Sequence, residues 1–132
     1  MALAGYSGTP LVKKLGIKPG MSVAIVGSPK GFRRELVGLP DDVRLTKTST
    51  TPVDLVIWFV PDRRTLTTGI GPVMRAMTAG LWIAWPKKSS KLSADVSEDD
   101  VRRAGLANGA VDYKVCAINE TWSGLKFART RR

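Results

Sequence analysis

Histidine is absent from the 132 residues, and cysteine occurs once, at Cys116. The first absence removes the commonest general base, the commonest metal ligand and the side chain that titrates near neutral pH. A single thiol forms no intramolecular disulfide and supplies no cysteine-rich metal cluster. Zinc fingers, Ser-His-Asp hydrolases, Cys-His proteases and disulfide scaffolds are therefore excluded, and no metal site is expected. Long apolar runs are also missing. The longest, 55–61 and 79–86, fall far below the roughly 18–20 residues of a membrane-spanning helix. No basic head followed by an apolar stretch opens the chain, so no signal peptide is read. With one free thiol, the cytoplasm is the expected compartment. Acids are scarce: 11 Asp and Glu stand against 21 Lys and Arg, a net charge of +10. The hydrophobic content, 43%, is that of a folded chain rather than a disordered basic tail.

The elements follow from turn and cap chemistry. Gly5-Tyr6-Ser7-Gly8 is loop-like, and Thr9 before Pro10 predicts a short helix over 10–15 with Thr9 as N-cap. Gly16 stops it, and a turn at Lys18-Pro19-Gly20 leads into an apolar strand over 21–26. Gly27-Ser28-Pro29-Lys30-Gly31 is a tight loop before a helix over 32–38, and a strand follows at 43–47. The polar link 46–52 is too short to hide another element. Residues 54–60 carry no charge after Asp54 and read as a strand buried on both faces. Asp62 is placed to cap a helix from Arg63, interrupted at Gly69-Ile70-Gly71-Pro72, restarted by Pro72 and ended by Gly80. A further buried strand spans 81–85. Ser97 followed by Glu98, Asp99 and Asp100 is a strong helix start, and Gly109 its stop. Strands 111–118 and 122–129 flank a hairpin turn at Asn119-Glu120-Thr121. The order β-α-β-β-α-β-α-β-β predicts a single α/β domain over 1–132. Residues 1–20 form a loop and short helix, and 21–130 a three-layer, mostly parallel sheet of about six strands ending in an antiparallel hairpin.

Val23-Ala24-Ile25-Val26-Gly27-Ser28-Pro29-Lys30-Gly31, with the closing hairpin and its reversed last strand, resembles class I S-adenosylmethionine-dependent methyltransferases over about 18–129. The resemblance implies a Rossmann-like fold with a cofactor at the glycine loop. The sequence departs from that family in several places. It has no acid near Ile25, Pro29 where the second loop glycine falls, Thr46-Lys47 where an acid for the ribose hydroxyls is expected, and no helix-strand-helix passage before Asp54. A second resemblance is to a small bacterial domain family of unknown function. Gly5-Tyr6-Ser7-Gly8-Thr9-Pro10-Leu11, Lys14-Leu15-Gly16-Ile17-Lys18-Pro19-Gly20, Trp85-Pro86-Lys87-Lys88 and 115–125 carry it. That family implies no activity.

In an open α/β sheet, ligands gather outside the carboxyl ends of the parallel strands. The loops at that edge bring Gly27, Ser28, Lys30, Arg33, Arg34, Lys47, Asp62, Arg63, Arg64, Lys87, Lys88 and Lys91. The hairpin tip adds Asn119, Glu120 and Trp122. One sign of charge in a cleft focuses the field and recruits anions, so an anionic small molecule or phosphate is the expected ligand. Backbone N–H groups of 27–31 are placed to hold a phosphate, Trp122 to stack on a base, and Glu120 or Asp62 to recognise polar groups. Each has a plainer reading. The cations serve solubility, the glycines make a tight turn, Asp62 caps a helix, and Cys116, Trp58, Trp82 and Trp85 pack in the core.

Three functions stay open. The favoured one is a non-catalytic protein holding an anionic ligand or partner at this edge, with no catalytic residue and no assured cofactor. The alternative is a divergent methyltransferase using Ser28, Asp62 and Glu120 near S-adenosylmethionine. The third is nucleic-acid binding through basic pairs such as Lys13-Lys14, Arg33-Arg34, Arg102-Arg103 and Arg131-Arg132. No groove-reading motif accompanies them.

Overall fold

The computed structural model describes residues 9–48 and 50–130. The Gly5-Tyr6-Ser7-Gly8 loop and the Arg131-Arg132 pair lie outside the described residues. The chain runs α1 (Leu11–Leu15), β1 (Ser22–Val26), α2 (Phe32–Glu35), β2 (Arg44–Thr46), β3 (Val53–Phe59), α3 (Arg63–Ala76), β4 (Met77–Pro86), α4 (Glu98–Ala107), β5 (Ala110–Ala117) and β6 (Trp122–Arg129). The six strands form one sheet in the order β2-β1-β3-β4-β6-β5. β2, β1, β3 and β4 are mutually parallel, while β6 runs antiparallel to both neighbours. The expected three-layer, mostly parallel α/β architecture is the one observed.

Alternation along the strands feeds two cores. Leu55, Ile57 and Phe59 of β3, with Trp82 and Ala84 of β4, face α1 and α2. Val56 and Trp58, with Leu81, Ile83 and Trp85, face α3 and α4. Between Val53 and Leu55 the register shifts, with Asp54 opposite both Thr78 and Ala79, so β4 carries an extra residue before the regular pairing begins. Trp82 is fully buried, and its indole N–H donates to Leu15 O at 2.9 Å, tying α1 to the sheet. At the far end the Arg129 guanidinium donates to Met74 O and Met77 O, fastening β6 to the junction of α3 and β4.

Several local expectations are corrected. Pro10, not Thr9, occupies the N-cap of α1, and no side chain caps that helix. The helix after the glycine loop is a single turn ending at Glu35. α3 is continuous through Pro72, and Gly80 lies inside β4 rather than at a helix end. The apolar stripe Leu66, Ile70, Val73 and Met74 holds α3 on the sheet across the proline. Gly69 sits there because a Cβ would lie 2.5 Å from Trp58 Cζ2. The α4 start is as read from the sequence: Ser97 Oγ accepts from Asp100 N while Asp100 accepts from Ser97 N. Among the described residues no helix is long and apolar enough to cross a membrane.

Candidate functional site

β1 ends at Val26, and the next residues must turn sharply to reach α2. Gly27 (φ +68°) and Gly31 (φ +86°) take left-handed conformations that other side chains rarely adopt. A Cβ on Gly27 would also approach Phe59 O to 3.1 Å, so the ends of β1 and β3 are pinched together there. This is where strand order reverses, from β1 outward to β2 and back to β3. Ile25, Gly27, Ser28, Arg33 and Lys47 line a recess of about 270 Å³ at this point. Lys47 is shared with a second groove of about 520 Å³, walled by Val26, Thr48, Thr50, Thr51, Pro52, Pro72 and Arg75. No carboxylate lines either space among the described residues. Lys30 is exposed but lies outside both linings.

One wall of the groove is the short link between β2 and β3, which contributes Lys47, Thr48, Thr50, Thr51 and Pro52. The sequence indicated the short link, but Arg75, Pro72 and the three threonines were not recognised as neighbours of Lys47. Position in the chain gives no signal that the end of α3 faces the link after β2 across one groove.

The remaining residues of the expected edge fall into separate surroundings, so the edge is not of one charge. Asp62 caps α3, accepting from Thr65 N at 2.8 Å. The backbone bond from Thr65 holds its carboxyl below the ordinary value of 3.8, with Arg64 adding to the effect. Arg63 donates its backbone N–H to Asp95 (2.8 Å) and its guanidinium to Asp100 (3.3 Å). It is therefore paired with one acid just before α4 and one in its first turn. Lys87 and Lys88 line a recess of about 450 Å³ with Glu98 and Asp99, two cations against two carboxylates.

The hairpin tip is acidic. Glu35, Asn119, Glu120 and Thr121 line a recess of about 350 Å³ that contains no cation and does not include Asp62. Asn119 works on the backbone: its Oδ1 accepts from Thr121 N and Trp122 N, and its amide donates to Glu35. Trp122 is only 6% exposed and meets Phe59 edge-on at 5.1 Å. Its expected role as a base-stacking platform is corrected, since the ring is part of the core beneath α2. The one-turn α2 likewise brings little helix dipole to the glycine loop. Gly27, Ser28 and Arg33, with Lys47, are the expected residues that the fold brings together.

No family model and no curated protein matches the chain. Solved structures do. A methyltransferase dependent on S-adenosylmethionine from Aquifex aeolicus superposes with a TM-score of 0.63 at 17% identity, over 91% of this chain and 88% of that one. A ribosomal protein L11 methylase from Lactobacillus delbrueckii subsp. bulgaricus gives 0.62 at 15% identity, over 92% and 75%. Magnesium protoporphyrin IX methyltransferase from Synechocystis, with bound S-adenosylmethionine, gives 0.62 at 14%, over 91% and 74%. The chain has the Rossmann-like fold of the S-adenosylmethionine-dependent methyltransferases. At these identities the likeness is one of fold.

Proposed function

We propose that the chain is a divergent S-adenosylmethionine-dependent methyltransferase whose cofactor cleft is the recess and groove joined at Lys47. The observation that carries this reading is the position of the recess, at the carboxyl ends of β1 and β2 beside the strand-order reversal, with the groove continuing from Lys47 along the link to Pro52. The fold of the neighbours supports it. When bound, the cofactor supplies an electrophilic methyl group. The residues present fit most of it by donor chemistry. Arg33 and Lys47 suit its carboxylate, and Ser28, Thr48, Thr50 and Thr51 suit ribose hydroxyls and ring nitrogens. Val26, Pro52 and Pro72 offer an apolar wall. The departure lies in charge. Among the described residues lining the cleft no carboxylate balances the sulfonium, so S-adenosylhomocysteine, which lacks that charge, is expected to bind at least as tightly.

A second reading rests on the same departure: a binding protein without catalysis that holds an anionic, nucleotide-like ligand against Arg33, Lys47 and Arg75. Calorimetric titration of S-adenosylmethionine, S-adenosylhomocysteine and ADP at fixed ionic strength separates the two. Saturable binding of the adenosyl pair, weakened roughly tenfold or more by Arg33→Ala and by Lys47→Ala, is expected on the first reading. Binding of ADP alone would leave only the second. No response to any of the three would remove the cleft as a ligand site.

A further inference from the structure

The opposite end of the sheet holds a lysine cluster that the cleft does not use. Where α1 ends, its last carbonyls are met by side chains from the far end of the chain. Lys114 Nζ donates to Lys14 O at 3.0 Å, and Lys126 Nζ donates to Leu15 O at 3.2 Å. These bonds explain why cations stand there. They leave Lys126 with further N–H donors, and among the described residues no carboxylate lies within ion-pair distance of it.

Beside Lys126 opens a pocket of about 170 Å³, room for roughly five waters by their share of liquid volume. Lys18 and the Tyr113 side chain line it together with Lys126. Two glycines seat the lysine. A Cβ on Gly16 would lie 2.6 Å from Lys126 Nζ, and one on Gly80 would lie 3.4 Å from Lys126 Cε. The ammonium also lies 5.7 Å from the Trp82 ring centre and 5.9 Å from that of Tyr113. The one acid in the lining, Asp54, is outnumbered by Lys18 and Lys126, and its Oδ2 accepts from Ser22 N at 2.9 Å and Ser22 Oγ at 3.2 Å.

We propose that the pocket between Lys18, Tyr113 and Lys126 binds a small oxyanion, phosphate or a short carboxylate, at the sheet end opposite the cleft. Lys18 and Lys126 supply the charge, and the Tyr113 hydroxyl supplies a neutral donor. Burial lowers the proton affinity of Lys126, and Lys114 and Lys18 add to that effect, so an anion there relieves repulsion already built in. Burial pushes the Tyr113 phenol the other way, which keeps its O–H a donor near neutral pH.

The test is an NMR titration of the full chain with sodium phosphate and, separately, sodium acetate, each at ionic strength held constant with chloride. Saturable shifts at the amides of Gly16, Gly80 and Lys126 are expected with at least one of the two anions. Binding should weaken tenfold or more in Lys18→Ala and in Lys126→Met, and measurably in Tyr113→Phe. Arg33→Ala should leave it unchanged. Because Lys126 also caps α1, Lys18→Ala and Tyr113→Phe carry the test if Lys126→Met does not fold. Shifts no larger than those from chloride, or spread evenly over all lysines, would overturn the proposal.

Discussion

β4 and β2 belong to the same sheet and live in different surroundings. β4 runs for ten residues and is buried without a break from Gly80 to Pro86, between helices on both faces. β2 is three residues long, alternates exposed and half-buried positions, and among the described residues pairs with β1 alone. The difference separates two jobs that are often entangled. The β3-β4-β6 centre carries most of the apolar burial, whereas the β1-β2 flank carries the recess and groove that meet at Lys47. Substitutions of buried apolar side chains in the centre should therefore act on stability, and substitutions on the flank on binding.

The largest expected effect is at the centre. Trp82→Ala removes a fully buried indole and its bond to Leu15 O, and should cost about 3–5 kcal/mol in chemical denaturation. Full stability in this variant would end the distinction. Next is Gly105→Ala, where the new Cβ would lie 2.2 Å from Phe127 Cε2. A loss of about 1–3 kcal/mol is expected despite the better helix propensity of alanine. Ser97→Ala removes the α4 cap and should cost about 1 kcal/mol.

The caps also set the acid limb of the stability curve. Asp100 is held below 3.8 first by the Ser97 backbone bond, with the Ser97 hydroxyl and Arg63 adding to it, and Asp62 is held below 3.8 by Thr65. A depressed carboxyl pKa means that this stability is whole above the unfolded value of 3.8. It is lost as pH falls through the lower folded values. Denaturation midpoints should thus fall below about pH 4, and less steeply in Asp62→Asn. The smallest expected change in stability is on the flank. Lys47→Ala should move it by no more than about 0.5 kcal/mol, while still weakening the ligand titration. A large loss of stability there would show that the link 47–52 is structural after all.

Much of the centre was legible because local and tertiary signals agree there. The uncharged run of β3 and the Ser97-Asp100 box mean the same thing alone and in the fold. Misreadings arose where the two disagree. Gly69 and Pro72 are breakers locally, yet Gly69 is the place where α3 presses on Trp58. Trp122 stands beside a turn, yet the hairpin folds its ring onto Phe59. From the sequence the carboxyl edge reads as mainly cationic, with Asp62 and Glu120 as its acids, because the acids that answer Arg63 lie 32 and 37 residues away. The pocket at Lys126 was invisible for the same reason. Its lysine meets Leu15 across 111 residues, a separation that no local pattern encodes.

The last strand of the chain occupies an interior place in the sheet. β6 lies between β4 and β5, and among the described residues β5 pairs with no other strand. β5 therefore precedes its partner in the chain, and its attachment to the sheet depends on β6. The β4-β6 pairing joins residues far apart in sequence, and the Arg129 bonds to Met74 O and Met77 O lie at its end. A chain shortened before Trp122 would lose two strand pairings at once and leave β4 with a bare edge.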